Sequence, residues 1–144
     1  MKTFYELLAQ EKESLLKYPA YVSLLAGYSD YKLDMEERKL AVKFVHIKTF
    51  TCDPILVEFY REAEKVFEKN IYQLDHELPK EKSLREAAIN KQLSKLDKLV
   101  LKLGKDYALM MHMSMTSYKE HVLKAHHNVL VDFVFPIPIA GITE

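Results

Sequence analysis

Apolar side chains recur every three or four residues along most of this chain, which is the spacing of one face of an α-helix. One such stripe runs through Leu56, Phe59, Tyr60, Ala63, Val66, Phe67, Asn70, Ile71 and Leu74. The chain holds only three glycines, too few for the turns of a sandwich, a barrel or a multi-strand α/β sheet. We therefore predict an all-α fold, a single-domain bundle of five to six helices over residues 1–144.

Four signals in the sequence predict where helices begin and end. Pro19 ends the first helix and opens the second, which stops near Gly27. Residues 34–37 and 83–86 have the spacing of a capping box, with a short polar residue three positions before a glutamate. Residues 53–54, Asp-Pro, suit an N-cap and the first helical position. No linker between these signals is long enough to divide the chain into two domains.

The C-terminal half carries one continuous apolar stripe that crosses Gly104 without changing phase. We therefore predict a long helix kinked at Gly104, or two helices nearly in line, since one glycine inside a helix costs about 1 kcal/mol relative to alanine. The helical period is lost from Asn128 onward, and Pro136 and Pro138 favour extended backbone. Residues 129–144 are thus predicted to be an extended apolar tail packed on the bundle or on a partner.

Composition and charge exclude several classes of protein. Lys plus Arg and Asp plus Glu both total 21, so the formal net charge is zero. This balance argues against a general nucleic-acid binder, which needs a surplus of positive charge. Cys52 is the one cysteine, which excludes a disulfide framework and a Cys-rich zinc site. No secretory signal and no apolar run of roughly 20 residues is present, so we expect a cytoplasmic protein.

The sequence motifs of common helical enzymes are missing. The chain has no Gly-rich phosphate loop, no His-Glu-x-x-His and no Glu-x-x-His pair of a diiron bundle. The histidines of the C-terminal third do not converge on one helix face, so packing or solvent-facing roles are favoured over a metal site: His112, His121, His126 and His127. We predict no catalytic residues and favour a non-enzymatic protein.

An acidic turn at residues 29–38 is the leading candidate for chemistry. Asp30 precedes Glu37 by seven residues, so a loop that folds back would place both carboxylates around one cation, with Asp34 between them. Carboxylate oxygens in a short loop suit Ca²⁺ or Mg²⁺. The candidate metal ligands are therefore Asp30, Asp34 and Glu37. The alternative is that Asp34 and Glu37 only cap the next helix, whose N-terminus carries partial positive charge.

The same turn resembles the signature of the TerB-like family, which includes the tellurite-resistance protein TerB. That signature is a helix ending in Ala-Asp-Gly, a short loop with an aliphatic residue and an Asp or Ser, and a helix beginning with Glu-Glu. In this chain residues 24–26, Leu-Leu-Ala, end the helix, and Asp30, Leu33, Asp34, Glu36 and Glu37 match in order and spacing. The resemblance implies a small helical bundle, an acidic divalent-cation site at Asp30 and Glu37, and a non-catalytic role in stress response or signalling complexes.

A second interpretation is a small-molecule-binding protein, or an enzyme, with a pocket between helices. Four methionines crowd one stretch of the sequence: Met110, Met111, Met113 and Met115. Flexible thioethers fill an irregular core or line an adaptable groove. On this interpretation the methionines, the tyrosines and His46 or His112 line the pocket.

Two further features suggest surfaces for a partner. A basic stripe recurs at spacings of four, three, four and three residues: Lys91, Lys95, Lys98, Lys102 and Lys105. A solvated helix face explains it, and an acidic protein or an anionic lipid surface is the alternative. The apolar tail cannot remain a free arm in water, so it covers the bundle itself, a second copy in a homodimer, or a membrane surface, in that order of preference.

Overall fold

The computed structural model describes residues 3–26, 39, 43, 45, 46 and 52–134; for residues 26 and 123–134 it describes the backbone alone. All regular structure in these ranges is helical, with no strand. The all-α prediction is therefore confirmed for the described part of the chain. The acidic turn and residues 135–144 of the tail lie outside the described residues.

The α-helices have well-defined bounds: α1 is Ala9–Leu16, α2 is Tyr18–Ala26, α3 is Val57–Glu77, α4 is Lys82–Val100 and α5 is Lys105–Val134. Short 3₁₀ turns lie at Phe4–Glu6, Pro54–Leu56 and Leu101–Leu103. Four more described residues, between α2 and the turn at Pro54–Leu56, are in α-helical conformation: Lys39, Lys43, Val45 and His46.

Helix α2 lies at the centre of the described core. Every residue from 18 to 24 is buried, and the helix packs against α3, α4 and α5. A helix that is apolar on nearly all sides is typical of a buried position. The break before α2 falls where the sequence predicts it, because α1 ends at Leu16 and Pro19 occupies the first turn of α2. The central position of α2 lets it contribute side chains to a groove between α4 and α5.

The helix starts show one correct and one wrong prediction. Asp53 caps the turn before α3, and its Oδ1 atom accepts a 3.0 Å hydrogen bond from the Ile55 N–H. The predicted capping box at 83–86 is wrong. Glu81 caps α4 instead, with its carboxylate accepting hydrogen bonds from the N–H groups of Ser83 and Leu84 at 3.1 and 2.9 Å. These bonds, that from Leu84 foremost, lower the pKa of Glu81.

Gly104 separates α4 from α5, which corrects the prediction of one kinked helix or two helices in line. Its φ and ψ of 99° and 160° lie in a region that is essentially restricted to glycine. If the helices ran in line, Ser94 and Met115 would be about 30 Å apart at 1.5 Å per residue. Both residues instead line one groove, so the two helices fold back toward each other. Both helices pack on α2, so apolar residues recur at helical spacing on both sides of Gly104 although the chain reverses there.

The predicted tail boundary also needs correction. Helix α5 continues to Val134, so residues 129–134 are helical and not extended. This stretch contains no proline, and the first one, Pro136, disfavours helical backbone only from Phe135 onward. The loss of apolar period therefore does not end the helix within the described residues.

Candidate functional site

A groove of about 290 Å³ lies between α2, α4 and α5, and we call it the α2–α4–α5 groove. Its floor is apolar, with Tyr18, Val22 and Met115 buried and two half-buried leucines beside them. Its rim is exposed and polar: Asn90, Ser94, Asp97, His112, Thr116 and Lys119. An apolar floor with a few polar groups around it is the usual form of a small-molecule site.

Helical spacing brings these side chains to one place. The α4 contribution is Asn90, Leu93, Ser94 and Asp97, and the α5 contribution is His112, Met115, Thr116 and Lys119. Each set has the spacing i, i+3, i+4, i+7, which is a single stripe on the surface of a helix. The two stripes face each other because the chain reverses at Gly104, and α2 closes the floor between them.

Tyr18 and Asp97 form the main polar contact at the edge of this groove. The Tyr18 hydroxyl donates a hydrogen bond of 2.7 Å to Asp97 Oδ1. Burial, followed by the hydrogen bond to Asp97, raises the pKa of Tyr18 well above its usual value, so the hydroxyl stays a neutral donor. An ionised carboxylate has about four acceptor positions, so Asp97 retains capacity for a further donor.

The rim of the groove has opposite charges on its two long walls. Asp97 supplies a carboxylate from α4, while Lys119 supplies an ammonium group from α5. His112 lies seven residues before Lys119, on the same face of α5. The Thr116 hydroxyl donates a 2.9 Å hydrogen bond to the backbone carbonyl of His112. The groove therefore has a carboxylate on its α4 side and an ammonium group on its α5 side.

Three further tyrosines are buried in the core, and their hydroxyls are mostly hydrogen-bonded there. Tyr60 is hydrogen-bonded to Ser114. Tyr118 is hydrogen-bonded to Ser23 at 2.6 Å. Tyr107 is the exception, because its buried hydroxyl has no hydrogen-bond partner among the described residues. Burial raises the pKa of all three tyrosines.

The predicted pocket residues are brought together only in part. His112, Met115 and Tyr18 line the groove. His46 does not: it is exposed and pairs with the Glu64 carboxylate on α3. The other three methionines of the cluster are distributed between the core and the surface, with Met113 as much as 56% exposed.

Asp30, Asp34 and Glu37, the predicted metal ligands, lie outside the described residues. In the part of the chain that is described, no group of three or more His, Cys, Asp or Glu side chains is placed to hold a metal ion. The acidic divalent-cation site therefore stays a prediction. The lysines of the basic stripe are all exposed, and Lys102 pairs with Glu11 on α1.

Sequence reasoning did not identify the α4 side of the groove, since Asn90, Ser94 and Asp97 have no unusual spacing for polar residues on a helix. Comparison with known proteins adds no further residue, because no family model, no curated protein and no solved structure matches this chain. Among the described residues, no helix is both long and apolar enough to cross a bilayer.

Proposed function

We propose that this protein is a non-enzymatic domain that binds a small molecule in the α2–α4–α5 groove. The observation that carries the proposal is the convergence of Tyr18, His112 and Met115, from two separate helices, on one groove with an apolar floor. No covalent chemistry is required of these residues. The volume of about 290 Å³ lies at the lower end of the range for ligand sites, which favours a compact ligand.

The charges on the rim suggest the chemical class of the ligand. Lys119 and the His112 ring on α5 suit a carboxylate, since charge-assisted hydrogen bonds to a carboxylate are strong. Asp97 on α4, which still has acceptor capacity, suits an ammonium group. The apolar floor at Val22 and Met115 suits a hydrocarbon body. A zwitterion with an apolar side chain, such as a free apolar α-amino acid, satisfies all three requirements.

Calorimetric titration with three probes tests this proposal. L-Phenylalanine carries both charges, while phenethylamine and hydrocinnamate carry only one each on the same ring. We expect L-phenylalanine to bind up to about fivefold more tightly than either analogue, because an ion pair at an exposed rim contributes about 0.2–1 kcal/mol. Equal binding of all three probes, or none, would contradict the proposed class.

A pair of tryptophan variants tests whether the probe binds in the α2–α4–α5 groove. Ser94→Trp fills the groove from its exposed rim, and Lys95→Trp places the same ring on the adjacent exposed position that does not line the groove. We expect only the first variant to abolish probe binding, with both variants remaining folded. Binding that survives Ser94→Trp would place the ligand elsewhere.

A divalent-cation-responsive module resembling TerB-like stress-response proteins is our second proposal. It is supported by the order and spacing of Asp30, Asp34 and Glu37. It predicts that Ca²⁺ or Mg²⁺ raises the melting temperature, because an ion that binds only the folded chain stabilises it, and that Asp30→Ala removes the rise. If neither ion shifts the melting temperature, the acidic residues serve only as helix caps.

We also propose one additional helix and a role for the C-terminal tail. The helical residues around Val45 support one more helix between α2 and α3, in keeping with five to six helices in total. The apolar end of the tail, residues 135–144, is proposed to cover the bundle or to join two copies in a homodimer. The proposed location is the cytoplasm, without nucleic-acid partners.

A further inference from the structure

A second groove lies between the N-terminal segment and α3, and we call it the Asn70 groove. Its volume is about 610 Å³. Its apolar walls include Phe4, Leu16 and Val66, and Asn70 lines it from α3. It shares no lining residue with the α2–α4–α5 groove, so an inference about it stands apart from the function proposed above.

Asn70 is unusual because it occupies a core position of α3. It is only 7% exposed, and its neighbours on that face of the helix, Phe67, Ile71 and Leu74, are all buried. Its side-chain amide has two donors and an acceptor with two lone pairs. No side-chain hydrogen bond joins Asn70 to another described residue, and its amide is not one of the fully enclosed polar groups. The amide therefore faces the groove, where water or a bound ligand supplies its hydrogen bonds.

The charges around the groove indicate what kind of partner fits. Lys12 and Lys69 line it together with Glu13 and Glu62, two positive and two negative groups. The formal charges of these four side chains sum to zero, so the groove does not favour an anion over a cation. The Phe4 ring and the aliphatic side chains of Leu16 and Val66 favour an apolar body. The one directional group is the amide of Asn70.

We propose that the Asn70 groove binds a neutral small molecule that presents a hydrogen-bond donor beside an acceptor, as a primary carboxamide or a lactam does. The amide group of such a ligand forms two hydrogen bonds with Asn70. Its N–H donates to Asn70 Oδ1, and its carbonyl accepts from Asn70 Nδ2. The body of the ligand packs against Phe4 and Leu16. Two parallel hydrogen bonds discriminate against ligands that lack one of them, because the unmatched Asn70 group then loses water without gaining a partner.

The experiment uses benzamide as the probe, with benzoate and acetophenone as matched compounds. Benzamide has both hydrogen-bonding groups, acetophenone has only the acceptor, and benzoate carries a charge. We expect millimolar binding of benzamide, at least about tenfold tighter than that of the other two. The readout is the side-chain NH₂ signal of Asn70 in a heteronuclear NMR spectrum, with the NH₂ signal of Asn90 in the other groove as the internal control.

A substitution pair separates binding from folding. Asn70→Leu removes both hydrogen-bonding groups at similar volume, whereas Gln10→Leu removes an exposed amide on α1 that does not line the groove. We expect Asn70→Leu to abolish benzamide binding and to melt no lower than the wild type, since the amide has no protein partner to lose. Gln10→Leu should keep benzamide binding within about twofold.

Three outcomes would overturn the inference. The first is an Asn70 NH₂ signal in the wild type that does not move with benzamide. The second is benzamide binding that survives Asn70→Leu. The third is a response to a capped dipeptide but not to benzamide, which would make the groove a peptide site. None of these outcomes bears on the α2–α4–α5 groove, whose reporters are its own residues.

Discussion

The Tyr118 hydroxyl on α5 lies 2.6 Å from Ser23 Oγ on α2, and both side chains are fully buried. Ser23 also lies 2.8 Å from the backbone carbonyl of Pro19, which can only accept, so Ser23 donates to Pro19 and Tyr118 donates to Ser23. The direction of these two hydrogen bonds determines how each substitution affects stability. Ser23→Ala removes the acceptor to which the buried Tyr118 hydroxyl donates, whereas Tyr118→Phe leaves Ser23 still bonded to Pro19.

We therefore expect the smaller change at Ser23 to be the more damaging one. Ser23→Ala should lower the free energy of unfolding by about 1–3 kcal/mol, and Tyr118→Phe by about 1 kcal/mol. Urea denaturation of the two variants and the wild type measures both values. The reverse order would contradict the assignment of Tyr118 as the donor to Ser23.

Tyr107 and Tyr60 form a matched pair of buried phenols with different surroundings. The Tyr107 hydroxyl has no hydrogen-bond partner among the described residues, whereas Tyr60 is bonded to Ser114. Tyr107→Phe should leave stability unchanged or raise it by about 1 kcal/mol, because it removes an unpaired polar group. Tyr60→Phe should lower stability by a similar amount. Thermal and urea denaturation compare them, and an equal loss in both would contradict the unpaired state of Tyr107.

Burial of the tyrosines also predicts how stability depends on pH. Burial raises the pKa of Tyr18, Tyr60, Tyr107 and Tyr118, while tyrosines in the unfolded chain ionise near pH 10. Above about pH 10 the unfolded state therefore loses protons that the folded state keeps, so stability falls as the pH rises. An absorbance titration of tyrosinate should show a second phase that coincides with the loss of helical circular dichroism. Complete ionisation while the helices persist would contradict the burial of these hydroxyls.

Gly104 distinguishes the observed chain reversal from the kinked helix that the sequence suggested. In a helix, Gly104→Ala would stabilise the protein by about 1 kcal/mol. At the observed φ of 99° the added Cβ is strained, and we expect a loss of about 1–3 kcal/mol. Differential scanning calorimetry gives the sign directly. A higher melting temperature for Gly104→Ala would favour the continuous helix.

Much of the helical arrangement follows from local signals. Pro19 and Asp53 mark helix starts through chemistry that is complete within one turn, so tertiary contacts are not needed to recognise them. The reversal at Gly104 escaped the sequence pattern because helices on either side of it bury their apolar stripes against the same helix, α2. A stripe that continues in phase does not distinguish one long helix from two that fold back.

Only some residues of the candidate site could be predicted from the sequence. His112 and Met115 are among the residues predicted to line a pocket, because flexible thioethers suit an adaptable groove, but Asn90, Ser94 and Asp97 join them only through the tertiary fold. Asn70 did leave a signal in the sequence, since it falls within the apolar stripe of α3. A polar residue at such a position is better treated as a candidate site than as an exception.

The most direct test of the central proposal uses the methyl group of Met115 on the groove floor. In a heteronuclear NMR spectrum of protein with labelled methionine methyl groups, L-phenylalanine should shift the Met115 signal through its ring current and leave the signal of exposed Met113 in place. Ser94→Trp should abolish the titration while Lys95→Trp preserves it. A Met115 signal that stays fixed at saturating L-phenylalanine, or one that moves no more than Met113, would contradict a zwitterion site in the α2–α4–α5 groove.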